Sequence, residues 1–282
     1  MWCVMPMPKA EELLISVVMG IRYRREDLFL LERAITSILE QTYRNFELLI
    51  CEKESTPAAR ERLERFAKED PRVRLIDGTN ATGFSGQLNR CLKAKRGAWV
   101  ARMDDDDYCA PERLSVQVDY LKEHPKAAFV GCVAKLEREG QIVGFRQLPE
   151  KPIARDFFFV QPFLHPTLLF RREALERVGE YSEEPKCVGC EDFDLLLRFY
   201  EMGLAGENIQ EPLFTYTLPP LGSKKRTMSM RWNEAKTRYV RFQALDLLPK
   251  ALPYVVKPLA VGLLPERMLE WMKDRRRRDA RP

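Results

Sequence analysis

Histidine is scarce in this chain, two residues in 282, and long apolar runs are missing. The longest candidate near the C-terminal end, YVVKPLAVGLL (254–264), is interrupted by Lys257 and Pro258, so no membrane span is expected. The opening MWCVMPMPKAEELL (1–14) lacks a basic segment followed by an apolar one, which argues against a signal peptide. Seven cysteines, an odd number without a repeating framework, fit a reducing compartment better than a disulfide scaffold. The cytoplasm is therefore the expected location. No internal repeat is visible, and low complexity is confined to the basic end. Glycine is sparse where a phosphate loop would need it: GIRYRRED (20–27) has the charges but not the repeated glycines.

What is present is ordinary in bulk and uneven in distribution. A composition of 45% hydrophobic and 32% charged residues suits a soluble globular protein, and 282 residues suffice to bury most of the apolar surface. Residues 1–221 hold 31 Lys and Arg against 36 Asp and Glu, whereas residues 222–282 hold 16 against 6. The boundary falls at LPPLGSKKR (218–226), a linker-like stretch. The two parts are expected to face different partners.

LISVVM (14–19), FELLIC (46–51), VRLI (73–76) and AWVARM (98–103) read as strands. Between them lie helical patterns. The first has Asp27 as its expected N-cap and Leu28, Leu31, Ile35, Ile38 and Leu39 on one face. The second begins at Thr56-Pro57 and buries Leu63, Phe66 and Ala67, and the third is FSGQLNRCLKAK (84–95). Alternation of this kind, with continuous apolar strands, predicts an α/β fold: a doubly wound, mainly parallel sheet covered by helices on both faces. In the second half the strands AAFVGCV, IVGF, TLLF and LFTYTL are interleaved with shorter helices.

Such sheets bind ligands beyond the carboxyl ends of their strands. That is where Asp104, Asp105, Asp106 and Asp107 fall. Adjacent carboxylates at a half-buried strand end are costly unless positive charge meets them. A solvated acidic loop is the plainest reading. An EF-hand loop is excluded by Cys109 and Ser115, which stand where the turn glycine and the twelfth, acidic ligand belong. The remaining reading is an Asp-x-Asp site holding Mg²⁺ or Mn²⁺ against a diphosphate.

Taken together, ISVVMGIRYRREDLFLLERAITSILEQTYRNFELLI, NATGFSGQLNRCLKAKRGAWVARMDDDD and CEDFDLLLRF resemble the family-2 glycosyltransferases of the A-type fold, from about Leu14 to about Tyr216. The resemblance implies that residues 1–126 form a donor-binding half and 127–221 an acceptor-binding half of one catalytic domain, with 222–282 as a basic helical extension. It implies an inverting, metal-dependent transfer of a sugar, with a UDP-sugar as expected donor, to a hydroxyl of a glycan or lipid-linked acceptor in polysaccharide or glycoconjugate synthesis. Asp104 is expected near the donor ribose and the metal, and Asp106 as a metal ligand. Glu191 and Asp192 match the Glu-Asp pair whose aspartate is the expected general base; acidic residues also suit a helix start. Asn80, Gly83 and Asn89 are donor-side candidates by position, although turn chemistry also accounts for them. His165 in FLHPTLLFRR matches a segment beside the acceptor pocket, and a lone histidine is equally a structural residue.

Two departures stand out. The family's Asp-Asp-Gly-Ser-Thr is here Glu52-Lys53-Glu54-Ser55-Thr56, and Met19-Gly20-Ile21-Arg22-Tyr23 stands where many members have Tyr-Asn. Glu52 can still accept a hydrogen bond from the donor base, with its carboxylate displaced by roughly 1.5 Å. Arg22 or Lys53 is a phosphate contact or a solvated charge. Cys187-Val-Gly-Cys190 has metal or redox spacing without a second pair, and reads as two free thiols.

The basic end admits two readings. Trp232, Ala235, Tyr239, Phe242 and Leu245 recur at helical spacing among Arg231, Lys236, Arg238 and Arg241, before the terminal LEWMKDRRRRDARP. Residues 228–282 are either an anchor on the anionic inner face of a membrane or a helix packed on the catalytic domain. Nucleic acid is not an expected partner, because the aromatic residues share one face instead of forming stacking platforms. A nucleotidyltransferase and a non-catalytic nucleotide-sugar scaffold are the rival functions.

Overall fold

A strand with no polar side must be covered on both faces. In the computed structural model, which describes residues 13–220 and 226–263, β1 (Ile15–Ile21) is buried throughout and followed by α1 (Phe29–Leu39). Then come β2 (Phe46–Glu52), α2 (Pro57–Glu69), β3 (Val73–Asp77), α3 (Gly83–Ala94) and β4 (Trp99–Arg102). These four strands pair in parallel in the order β3-β2-β1-β4. The first half is therefore the expected doubly wound sheet.

The second half is mixed. It comprises β5 (Tyr108–Cys109), α4 (Arg113–Glu123), β6 (Phe129–Arg138), β7 (Gln141–Arg146), β8 (Leu169–Arg171), α5 (Arg172–Val178), α6 (Glu191–Glu201) and β9 (Gly206–Thr217). Strand β8 runs antiparallel to both β4 and β6, and so joins the halves into one nine-stranded sheet, while β6 and β9 pair in parallel. One face is covered by α1, α2 and α4 through Leu31, Ile35, Leu63, Phe66, Leu114 and Val118. The other is covered by α3, α5 and α6 through Leu88, Leu92, Leu175, Leu195 and Phe199. There Phe129 sits among Phe163, Phe170 and Phe199, ring centroids 4.9, 5.3 and 5.0 Å away.

Helix starts separate two sequence readings. Thr56 caps α2, its side chain accepting from the Ala59 amide with Pro57 in the first turn, as read. Asp27 does not cap α1. The capping position is Leu28, and the Asp27 carboxylate instead accepts from the Phe29 amide at 2.9 Å while the Tyr23 hydroxyl donates to the Asp27 carbonyl at 2.7 Å. A local aspartate turn has displaced the cap by one residue.

The C-terminal helices α7 (Met228–Ala244) and α8 (Leu252–Leu263) lie on the α6 side of the sheet. Packing holds for Ala235 and Phe242, which are buried, but Trp232 and Tyr239 are 55% and 46% exposed. Two of the arginines are structural: Arg238 is buried and pairs with Glu234, and Arg241 pairs with Asp194 and Glu201. Residues 1–12, the linker residues 221–225 and the arginine cluster 275–278 lie outside the described residues.

At the sheet end opposite the aspartates, buried Glu47 ties three segments. Its carboxylate accepts from Ser16 Oγ at 2.7 Å, the Arg96 amide at 2.8 Å, Arg74 Nη1 at 2.5 Å and Arg96 Nη2 at 2.7 Å. Burial pushes its protonation upward, and the hydrogen bonds from Ser16, Arg96 and Arg74 outweigh that, leaving a net lowering. A lowered carboxylate stabilises the fold above the ordinary carboxylate range and loses that contribution as the pH falls. Glu47→Ala is therefore expected to cost about 3 kcal/mol at pH 7 and much less near pH 3. Denaturant unfolding of both proteins at the two pH values checks this.

Candidate active site

Parallel pairing brings the carboxyl ends of β1, β2 and β4 to one edge, where buried Gln87 of α3 donates to the carbonyls of Ile21 (2.6 Å) and Cys51 (2.9 Å). Beyond β4 lie Asp104 to Asp107, and across from them α6 begins at Glu191. Between them opens a cleft of about 290 Å³ lined by Arg102, Asp104, Gln161, His165, Glu191 and Asp192, with Phe84 and Tyr216 at its sides.

The four aspartates occupy four different environments. Asp104 accepts from the guanidinium of Arg102, itself fully buried with its charge 5.0 Å from the Phe84 ring centroid. Asp105 is pushed up to about 7, first by burial and then by the carboxylates of Asp106 and Asp104. Asp106 is also raised, by burial and by Asp104, and its Oδ2 meets Arg25 Nη2 at 3.1 Å. Asp107 is completely buried: Oδ1 accepts from the Thr217 amide at 2.7 Å, and among the described residues Oδ2 has no hydrogen-bond partner. The fourth carboxylate thus fastens the end of β9 to the turn, helped by Thr217 Oγ1, which donates to the Asp106 carbonyl at 2.5 Å.

Asp192 is oriented at both oxygens. Its Oδ1 accepts from the Phe193 amide at 2.8 Å and its Oδ2 from Gln161 Nε2 at 2.9 Å. Burial raises the neighbouring Glu191. His165 is nearly buried, with Nε2 2.7 Å from the Tyr181 hydroxyl, and burial holds it well below its usual range, so the ring is neutral.

The donor-side candidates divide. Glu52, at the end of β2, accepts from the Ser55 amide at 2.6 Å and pairs with Arg60 at 3.3 Å. Lys53 is engaged with the Ala81 carbonyl at 2.7 Å rather than free for a phosphate. Glu54 has φ +60°, the left-handed conformation that favours glycine, and pairs with Arg22 and Arg24 at 2.5 and 2.6 Å. Gly83 (φ +62°) begins α3, and Asn80 is exposed in the turn before it; neither lines the cleft. Asn89 is buried and structural in its contacts, its amide donating to the Tyr181 carbonyl (2.9 Å) and Glu183 (2.8 Å). Cys187 and Cys190 are buried free thiols. Sequence reading missed Gln161, Arg25, Arg102 and Asp107's tie to Thr217. The only signal was a lone arginine in an apolar strand.

Residues 17–179 match the family described as Glycosyl transferase family 2. The chain belongs to that family. It is 32% identical over 89% of its length to the putative glycosyltransferase EpsE of Bacillus subtilis (strain 168), covering 90% of that protein. It is 29% identical over 50% of its length to the Escherichia coli UDP-Glc:alpha-D-GlcNAc-diphosphoundecaprenol beta-1,3-glucosyltransferase WfgD, covering 53% of it. Two solved structures share the fold. The mannosyltransferase PcManGT of Pyrobaculum calidifontis, in complex with GDP-Man and Mn²⁺, superposes with a TM-score of 0.60 at 22% identity, covering 96% of this chain and 82% of that one. TarS 1-349 of S. aureus, in complex with UDP-GlcNAc, gives 0.67 at 17% identity, with coverage of 92% and 79%.

A divalent cation suits the donor set of this family 2 chain. The set is all oxygen, and burial first, then the neighbouring carboxylates, pushes Asp105 and Asp106 upward. Among the described residues no three His, Cys, Asp or Glu side chains converge as a metal cage. The protein would thus contribute only part of a coordination shell, as is usual for Mg²⁺ or Mn²⁺ bound with substrate phosphates.

Because the folded state holds the Asp105 proton that the unfolded chain releases, the protein loses stability as pH rises from the ordinary carboxylate range towards about 7. Without divalent cations, the melting midpoint is expected to fall between pH 5 and pH 8, and to fall less in Asp105→Asn. Thermal melts at both pH values test it.

Proposed function

We propose that this family 2 glycosyltransferase inverts the anomeric centre of a sugar as it moves it, with a divalent cation, from a nucleotide donor to a hydroxyl on a glycan or lipid-linked acceptor. The observation that carries the reading is that Asp104, from the end of β4, and Asp192, from the start of α6, line one cleft. Donor diphosphate belongs at the first and the acceptor hydroxyl at the second. Asp104 and Asp106 would hold Mn²⁺ or Mg²⁺, which when bound offsets the charge developing on the departing nucleoside diphosphate.

The chain's own groups do the rest. Asp192 takes the proton of the acceptor hydroxyl as that oxygen attacks from the face opposite the diphosphate, and an attack of this geometry inverts the centre. Arg102 and Arg25 hold positive charge beside Asp104 and Asp106, so the acidic turn can receive an anionic donor. Neutral His165, bonded to Tyr181, offers a hydrogen bond to the acceptor side without adding charge. Glu52 is the candidate for reading the donor base. Nucleotide sugars bound to PcManGT and TarS support a nucleotide-sugar donor. The diphosphoundecaprenol substrate named for WfgD supports a lipid-linked acceptor and a polysaccharide product.

Among the described residues no helix is long and apolar enough to cross a membrane. Exposed Trp232, Tyr239 and Val256 on α7 and α8, followed by the basic terminal segment, support attachment to the inner face of the membrane from the cytoplasmic side.

The test is thermal stabilisation by UDP, GDP, CDP and dTDP, each with and without Mn²⁺. A nucleotide at 100 times its dissociation constant adds about 2.7 kcal/mol. One nucleotide should give a Mn²⁺-dependent shift that Asp106→Asn loses. Asp192→Asn should keep the shift and lose about a hundredfold or more in turnover. No shift with any nucleotide would sink the proposal.

A further inference from the structure

The C-terminal helices touch both chain segments that surround Asp192. On one side they hold residues 157–161. Arg238 Nη1 donates to the carbonyls of Phe157 (3.0 Å) and Phe158 (3.1 Å), and Lys257 Nζ donates to that of Phe159. Phe158 stacks on Tyr254 of α8 at 5.1 Å and meets Phe242 of α7 edge-on at 5.2 Å. Three residues after Phe158, Gln161 donates to Asp192 Oδ2.

On the other side α7 holds the turn that leads into α6. Arg226 donates to the Gly189 carbonyl, and Asn233 Nδ2 donates to those of Pro185 (3.0 Å) and Val188 (3.2 Å). Cys190 Sγ lies 3.4 Å from Thr237 Oγ1, and Arg241 Nε donates to Asp194 Oδ1 at 2.8 Å. The guanidinium of Arg238 also stands 4.5 Å from the ring centroid of Phe193, the residue after Asp192.

We infer that α7 and α8 belong to the catalytic apparatus as its positioning element: they fix the 157–161 segment so that Gln161 orients the Asp192 carboxylate, and they fix the 185–190 turn that leads into α6, from whose first turn Asp192 projects. The inference rests on the reading of Asp192 as general base. A carboxylate held at one oxygen by its own helix can still swing about its side-chain bonds; a second donor removes that freedom. Loops become accurate only when a rigid scaffold holds them. Residues 157–161 form no strand or α-helix along their length, and Phe159 and Val160 are exposed; the α7–α8 contacts hold the middle of the segment, while Phe157 packs on Phe193 and Tyr200 of α6 and Arg146 of β7 donates to the Gln161 carbonyl at 3.4 Å. Gln161 is thus a positioning residue, and Arg238, Asn233 and Tyr254 act through it or through the turn.

The experiment uses the full chain, Mn²⁺ and UDP-glucose, UDP-N-acetylglucosamine or GDP-mannose, following release of the nucleoside diphosphate, with nucleotide-induced thermal shift as a separate measure of donor binding. Gln161→Leu should lower turnover about ten- to hundredfold, the scale of a misplaced reacting group, with donor KM and thermal shift unchanged. In an Asp192→Asn background the same change should cost nothing further, because residues acting as a unit are not additive. Half-buried Asn233→Ala, outside the apolar core, should lower turnover in the same direction by a smaller factor, and carries the test if Gln161→Leu does not fold. Native turnover in both variants overturns the inference, as does an equal loss from Gln161→Leu in both backgrounds. If Asp192→Asn is inactive while Gln161→Leu is fully active, only the inference fails. If Asp192→Asn turns over like the native chain, the base assignment fails with it.

Discussion

Mutual repulsion among Asp104, Asp105, Asp106 and Asp107 is the term that the neighbouring structure must offset, and much of the fold around the cleft is explained by how it does so. Arg102 is the last residue of β4 and fully buried, a costly place for a guanidinium unless a carboxylate meets it. Asp104 is that carboxylate. The backbone of Arg102 is pinned as well, because buried Arg113 of α4 donates to the Arg102 carbonyl at 2.9 Å. On the solvent side Arg25 approaches Asp106, and from below the Thr217 amide takes one oxygen of Asp107. Burial, and then the neighbouring carboxylates, drives Asp105, Asp106 and Asp107 all upward, Asp105 to about 7.

The same division separates what the sequence made legible from what it did not. Continuous apolar runs marked β1 to β4, and their alternation with helical periods predicted the parallel half of the sheet. Asp104, Glu191, Asp192 and His165 do line one cleft, since each sits in a motif with a recognisable context. Asn80, Gly83 and Asn89 were placed by position alone, and their own chemistry accounts for them better: Gly83 supplies a left-handed residue at a helix start, and Asn89 satisfies buried backbone groups. Gln161 was invisible for the opposite reason. It lies in FFFVQPF, an aromatic stretch with no period, and its partner is Asp192, 31 residues further along the chain.

Those two helices also show why composition misled in part. Their arginines read from sequence as a solvated or membrane-facing charge, but Arg238 is buried over Phe193, and Arg241 bridges Asp194 and Glu201 of α6. Arginine can do this because its planar guanidinium stacks on a ring while donating at its edge. The exposed aromatic residues Trp232 and Tyr239 are left on the outer side, while the inner face packs on α6 and on the 157–161 segment.

The altered Glu52-Lys53-Glu54-Ser55-Thr56 segment is the place where sequence and family diverge most, and its backbone explains how the divergence is tolerated. The family's glycine falls at Glu54, which keeps the left-handed conformation (φ +60°) that a glycine would adopt freely. A residue with a side chain pays about 1 kcal/mol for this. Here the strain coincides with two ion pairs, to Arg22 and Arg24, although both are exposed and each is worth little alone. What holds the turn is the hydrogen bond from the Ser55 amide to the Glu52 carboxylate at 2.6 Å, made possible by the longer side chain, together with the Ser55 hydroxyl accepting from the Tyr23 amide at 2.9 Å. The substitution thus preserves the path of the chain after β2 and changes the charge it presents. Arg22, Arg24 and Arg60 pair with Glu54 and Glu52 there, so the segment presents guanidinium groups where the family pattern has acids and a glycine.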